Sequence, residues 1–178
     1  MNVVQIISHP DSTGKSFTHE LSKSFRFGAE DAGARVHTHN LFSKHIKKNI
    51  IDDIFNADHI CFAWPCWWEM PPAKLVDFFQ TVFVRGFAFD KQYDLANDQS
   101  VVCKMVPILN LNVTCLISLG QDKDHNTDNL NASMLYCGLH PKFHLFKNVG
   151  PDLPFDLAEE YLDQAYRAGV DSQKPAST

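Results

Sequence analysis

The chain has 178 residues, 44% of them hydrophobic and 21% charged, with a formal net charge of −5 and a pI near 5.9. That length suits one domain able to bury a full core without staples, and the mild acidity gives no electrostatic reason to expect nucleic acid or an acidic membrane as partner. The five cysteines, Cys61, Cys66, Cys103, Cys115 and Cys137, are odd in number and lack a Cys-x-x-Cys spacing, which argues against a disulfide framework and a zinc site.

Val3 to Ile7 is a short apolar run that suits a central strand buried on both faces. His9-Pro10-Asp11-Ser12-Thr13-Gly14 is dense in turn residues, and from Ser16 the positions Phe17, Leu21, Phe25 and Ala29 recur at helical spacing. Gly33 reads as that helix's C-cap, and Arg35 to His39 as a second strand. Phe42 to Asn49 has no period and reads as a loop, with Lys44, Lys47 and Lys48 as a solvated basic turn; Asn49 to Asn56 reads as a short helix. Asp58 to Trp64 is the third strand, and Met70 to Val82 is an amphipathic helix whose prolines, Pro71 and Pro72, fall at its start.

Val84 to Ser100 shows no dominant period. Val101-Val102-Cys103 is strand-like, but the continuous run Val113 to Leu119 is the better fourth core strand. Asn129 to Cys137 reads as a helix, His144 to Val149 as the fifth strand and Leu157 to Ala168 as a last amphipathic helix. The expected domain spans 1–170, with 171–178 as a disordered tail. Strands alternating with helices through short loops imply a parallel sheet covered on both faces. Cys61 and Cys115 fall within strands as small core residues. No signal-like start and no apolar run of about 18 residues is found, so a cytoplasmic setting is expected.

Open α/β sheets bind ligands at the carboxyl ends of their strands, so three loops matter. In the first, the dinucleotide fingerprint Gly-x-Gly-x-x-Gly is absent. Gly14-Lys15-Ser16 is not a P-loop either, because His9 stands where that motif needs its first glycine. Lys15, Ser16, Phe17 and Thr18 instead form a helix start, whose free N–H groups and dipole suit a phosphate; a plain N-cap is the alternative. The second loop, Pro65-Cys66-Trp67-Trp68-Glu69, offers flat aromatic walls, or else plugs a core or a dimer interface. The third, Ser118-Leu119-Gly120-Gln121, carries a glycine that lets backbone approach a ligand. His37 with His39, and His140 with His144, come without the carboxylate or cysteine a metal site wants, so no metal is expected. No Gly-x-Ser-x-Gly elbow marks a hydrolase.

A phosphate-binding helix start, an aromatic wall and a glycine loop together suit a flavin. At this point His9-Pro10, Ser16-Phe17-Thr18, the block Trp64-Pro65-Cys66-Trp67-Trp68-Glu69-Met70-Pro71-Pro72-Ala73-Lys74-Leu75, and Val82-Phe83 through Gly86-Phe87-Ala88-Phe89 resemble the flavodoxin-like NAD(P)H:quinone reductases. That family includes DT-diaphorase and the ancillary oxidoreductases of potassium efflux systems. The resemblance covers roughly Val3 to Gly150 and implies a three-layer α/β sandwich with a five-stranded parallel sheet in the order 2-1-3-4-5.

The resemblance further implies an enzyme that passes two electrons from NADH or NADPH through a flavin to a quinone-like acceptor, as a homodimer. By carry-over, His9 and Lys15 to Thr18 hold the flavin phosphate and ribityl, Pro65 to Glu69 the isoalloxazine edge, and Ser118, Leu119 and Gly120 its pyrimidine side. Phe87 and Phe89 join the tryptophans as stacking walls, and His125 falls near the slot of a catalytic tyrosine. The chain is shorter than the long FAD-binding relatives, so FMN is the expected cofactor, with FAD as the alternative. Thr18 stands where the family usually has asparagine, and Ile117-Ser118-Leu119-Gly120 where it has Thr-Thr-Gly-Gly. A regulatory subunit that binds flavin and docks to a membrane transporter is the second reading.

Overall fold

The structure is a computed structural model and describes residues 1–11, 13–43, 50–96, 100–123 and 125–173, with the side chains of 93–96 and 100–104 left out. In chain order its elements are β1 (Asn2–Ile7), α1 (Phe17–Asp31), β2 (Arg35–Asn40), α2 (Ile50–Phe55), β3 (His59–Cys66) and α3 (Ala73–Val82). They continue as β4 (Phe89–Ala96), β5 (Ser100–Pro107), β6 (Leu111–Leu119), α4 (Asp128–Tyr136), β7 (Leu139–Phe146) and α5 (Phe155–Asp171). The main sheet runs β2-β1-β3-β6-β7, with every neighbouring pair parallel. Counting its own strands, this is the expected order 2-1-3-4-5.

Strand alternation sorts the core into two layers. Val3, Cys61, Ala63, Leu116 and Phe146 face one side, under Leu21, Phe25 and Ala29 of α1 and Ala165 and Ala168 of α5. Val4, Ile6, Ile60, Phe62, Trp64 and Ile117 face the other, under Ile54 of α2, Leu75, Phe78 and Val82 of α3 and Met134 of α4. Helices α1 and α5 pack closely because Gly28 and Gly169 sit at their crossing. A Cβ on Gly169 would lie 2.0 Å from the Phe25 carbonyl oxygen.

The chain departs from its expected elements at four places. Val84 to Ser100 and the run after it form an antiparallel hairpin, β4 with β5, paired from Phe89 and Pro107 to Ala96 and Ser100 and separate from the main sheet. Its first residues, Asp90, Lys91 and Gln92, mask any apolar alternation. Helix α3 starts at Ala73, three residues later than read, because Met70 exchanges backbone hydrogen bonds with Trp67 and closes a turn. Strand β7 starts at Leu139, five residues earlier; Pro141 is tolerated because β7 is an edge strand and needs donors on one side only. Helix α5 runs to Asp171, and Ser172 is buried with its hydroxyl on the Gly169 carbonyl, so the fold extends past 170.

Residues 44–49, which hold the expected basic turn, and 174–178, most of the expected tail, lie outside the described residues. Cys61 and Cys115 are fully buried, as expected of core residues. Among the described residues no helix is long and apolar enough to cross a membrane.

Candidate functional site

The three loops that follow β1, β3 and β6 meet at the carboxyl edge of the sheet. The first is clamped by Asp11. One carboxylate oxygen accepts the Thr13 N–H (2.8 Å) and hydroxyl (2.6 Å), and the other accepts the N–H groups of Lys15 (3.0 Å) and Ser16 (3.1 Å). These donors hold the Asp11 carboxyl at about 2, so it is ionised throughout the ordinary range. Gly14 supplies the left-handed turn, at φ 70°. Clamped in this way, the loop leaves Lys15 exposed, whereas Ser16, Phe17 and Thr18 at the start of α1 line a hollow of about 230 Å³ together with His9. The Lys15 and Ser16 N–H groups go to Asp11, but helix geometry leaves those of Phe17 and Thr18, the first helical residues, without an internal partner, so this end can hold an anion. The Thr18 hydroxyl is buried against the Ser118 hydroxyl at 2.7 Å, tying α1 to the end of β6.

The second hollow, of about 500 Å³, lies between the β3 loop (Cys66, Trp67, Trp68, Glu69) and the β6 loop (Leu119, Gly120, Gln121, Lys123, His125). Trp67 and Gly120 line both hollows, so the two form one groove. A Cβ on Gly120 would meet nothing closer than the Val149 carbonyl at 3.9 Å, so the protein itself does not require a glycine there.

Trp68 and Glu69 both have positive φ (56° and 60°), and Trp67 and Met70 exchange hydrogen bonds of 3.0 and 2.9 Å around them. This is a two-residue hairpin turn of the type that favours Asn-Gly. A tryptophan in left-handed backbone is a conformational outlier, and such strain concentrates at functional sites. The turn leaves Trp68 95% exposed, and Glu69 reaches across the groove mouth to Lys123 at 2.5 Å. That hydrogen bond holds the Glu69 carboxyl below its ordinary range. Below the mouth, Cys66 Sγ lies 3.5 and 3.8 Å from the two ring nitrogens of His125. Burial first, and then the nearby Glu69 charge, push the Cys66 thiol up.

Of the residues singled out from sequence, His9, Ser16, Phe17, Thr18, Pro65, Cys66, Trp67, Trp68, Glu69, Ser118, Leu119, Gly120 and His125 all line this groove. Three do not. Lys15 contributes its backbone N–H to the Asp11 clamp, and its side chain is exposed. Phe87 and Phe89 pack against the core, Phe87 6.5 Å from the Phe83 ring and Phe89 5.0 Å from the Tyr136 ring, and neither lines the groove of the protomer. The chain turns inward at Ala88, which is fully buried, and carries both rings with it.

The sequence reading missed Asp11, although an aspartate two residues ahead of the threonine whose N–H it accepts, followed by a glycine, is a visible turn signature. It also missed Lys123, whose partner is 54 residues away and which has no local signal. His37 and His39 do have a carboxylate, Asp53 of α2, at 3.6 and 2.7 Å.

Among the described residues one group, His9, Asp11 and His19, brings three metal-capable atoms within 4.8 Å of one another. Those atoms are already engaged. His9 Nδ1 accepts the Asp11 N–H, the His19 nitrogens meet Ser16 Oγ (2.7 Å) and Asn40 Nδ2 (3.3 Å), and Asp11 has its four donors. Burial lowers both histidines; His19 lowers His9 further, Lys23 lowers His19, and the Asp11 charge opposes the shift at each.

Residues 1–147 match the family model described as the flavodoxin-like fold. The chain belongs to that family. A curated relative, an uncharacterized NAD(P)H oxidoreductase of Haemophilus influenzae, is 26% identical over 176 residues, covering 84% of this chain and 85% of the relative. Among solved structures, an NAD(P)H:quinone oxidoreductase from Methanothermobacter marburgensis is similar at a TM-score of 0.72 and 20% identity, covering 99% of each chain. An FMN-dependent NADH-azoreductase from Bacillus anthracis, in complex with FMN, is similar at a TM-score of 0.71 and 13% identity, covering 95% of this chain and 98% of that one. The likeness to the flavodoxin-like NAD(P)H:quinone reductases, read from the Trp64 to Leu75 block, is borne out, and with it an oxidoreductase enzyme. In this flavodoxin-like chain the groove lies at the strand ends where such sheets take ligands.

Proposed function

We propose that the protein is an FMN-dependent NAD(P)H oxidoreductase that reduces a quinone-like acceptor. The observation that carries this reading is the continuity of the groove, which has helix-start N–H donors at one end and two tryptophans with a glycine-bounded wall at the other. The donor set fits a phosphate, the aromatic walls fit a flat ring system, and the space left at Gly120 fits close contact with its edge. Hollows of about 230 and 500 Å³ are of the size that holds such a ligand.

A bound flavin would supply the hydride chemistry, accepting two electrons from NAD(P)H and passing them on. The chain's own part is to hold and orient. Ser16, Phe17 and Thr18 would anchor the phosphate, with the Thr18–Ser118 pair setting the distance from that anchor to the β6 loop. Trp67 and Trp68 would flank the ring and exclude water, and His125 would meet the acceptor's oxygen. FMN is favoured over FAD because solved neighbours of the same fold are in complex with FMN.

The reading includes a homodimer in a cytoplasmic setting, where NAD(P)H is available. Met70 and Tyr136 are 61% and 47% exposed, and an apolar groove of about 610 Å³ runs between α3 and α4. A second copy covering this face would bury them, as exposed apolar patches of this kind require.

Reconstitution with FMN or FAD, followed by the absorbance spectrum and the mass of the released cofactor, tests the cofactor. NAD(P)H oxidation with benzoquinone tests the activity. Yellow protein without turnover would favour the regulatory-subunit reading, and protein that takes up neither flavin would refute both.

A further inference from the structure

We propose that Cys66 is a positioning residue for His125, its thiol holding the imidazole against the groove so that a ring N–H is presented to the acceptor. This rests on the quinone-reductase reading above. The two side chains come from different loops, after β3 and β6, and both line the 500 Å³ hollow. Cys66 is 9% exposed and fixed at the last residue of β3, whereas His125 sits on an irregular segment before α4 with no secondary structure of its own to orient it.

The sulfur lies almost equally far from both ring nitrogens, at 3.5 and 3.8 Å. A protonated thiol donates weakly through S–H and accepts weakly through sulfur. It can therefore donate to a neutral imidazole and accept from a protonated one, holding the ring in place through a proton-transfer cycle. Burial and the Glu69 charge keep this thiol protonated. Among the described residues that line this hollow the other charged groups are Glu69, on the β3 loop, and Lys123, on the ring's own loop; they are hydrogen-bonded to each other, and the Glu69 charge also acts on His125.

The chemistry needs one proton at this point. NAD(P)H supplies a hydride, two electrons and one proton in all, and a quinone needs one more proton to become a neutral hydroquinone. That proton leaves a His125 imidazolium nitrogen as the O–H bond of the hydroquinone forms, and water at the groove mouth returns it. No electron passes through the thiol. Residues that act by general acid catalysis contribute about 10²- to 10⁴-fold, and a misplaced one forfeits part of this.

Two measurements test the proposal. In cofactor-free protein labelled with ¹⁵N, Cys66→Ala moves the His125 ring-nitrogen resonances, whereas Cys66→Ser, whose hydroxyl also donates and accepts, leaves them close to wild type. In flavin-loaded protein, Cys66→Ala lowers the ratio of benzoquinone to ferricyanide reduction by about tenfold, since ferricyanide takes electrons without protons, and Cys66→Ser restores most of it. Unmoved His125 resonances in Cys66→Ala, an unchanged acceptor ratio, or failure of Cys66→Ser to restore it would each overturn the proposal. Wild-type protein that oxidises no NAD(P)H would instead overturn the proposed function, and the resonance measurement would still decide whether Cys66 holds His125.

Discussion

The turn at Trp68 and Glu69 makes a quantitative case in which stability and function pull apart. Trp68 sits at φ 56° with its side chain 95% exposed. A left-handed backbone costs an ordinary L-residue about 1–2 kcal/mol, whereas asparagine adopts it routinely. Because so little of the indole is buried, Trp68→Asn forfeits almost no apolar contact while relieving that strain. It should therefore stabilise the cofactor-free protein by about 1–2 kcal/mol, and at this chain length each kcal/mol moves Tm by about 2–4 °C. The expected rise, read by thermal denaturation, is about 2–8 °C.

Flavin binding should move the other way. An aromatic stacking contact is worth about 0.5–1.5 kcal/mol, so loss of the indole weakens affinity roughly twofold to tenfold, measured by titrating flavin fluorescence. An unchanged or lower Tm would refute the strain argument. Unchanged flavin affinity would refute Trp68 as a wall of the site.

Gly120→Ala separates ligand from protein in another way. Its Cβ meets nothing within 3.9 Å, so melting of the cofactor-free protein stays within a degree or so, while flavin affinity falls because the added methyl occupies the ring's approach. Gly169→Ala does the reverse, driving a Cβ to within 2.0 Å of the Phe25 carbonyl; denaturant titration should show a loss of about 1–3 kcal/mol as α1 and α5 are forced apart. Acid sensitivity should trace to His59, buried between Phe25 and Thr114 and lowered by burial from an ordinary 6.5 to about 4. Below pH 6.5 the unfolded chain takes up a proton that the folded state refuses. Stability is therefore full above pH 6.5 and falls as pH drops toward 4, by up to about 1.4 kcal/mol per pH unit from this group. Urea midpoints at several pH values check the slope, which His59→Gln should flatten.

Much of the fold was legible in the chain because its central strands are buried on both faces and read as continuous apolar runs. Val3 to Ile7 and the stretch ending at Trp64 could be placed by eye, and the helical spacing of Phe17, Leu21, Phe25 and Ala29 gave α1. The hairpin β4–β5 was not legible. It stands apart from the main sheet, and Asp90, Lys91 and Gln92 near its start are polar, so it gives no continuous apolar run. Leu139 to Pro141 was hidden for a related reason, since a proline in a strand is permitted only when that strand lies at an edge, and edge status is a property of the whole sheet.

The residue types of the candidate site were equally visible, because each loop follows a recognisable strand and its side chains are conspicuous: Ser16-Phe17-Thr18, the two tryptophans, Ser118 to Gly120. Sequence alone thus picked out the three loops that line the groove. Only the tertiary structure decided how they meet. Glu69 reaching Lys123 across the mouth and Cys66 lying against His125 are contacts between loops, set by a register of β3 and β6 that no local pattern encodes. The exclusion of Phe87 and Phe89 has the same origin. Aromatic character marks a side chain as suited to stacking, but the direction of the backbone at Ala88 determines that these two rings pack on the protomer's own core.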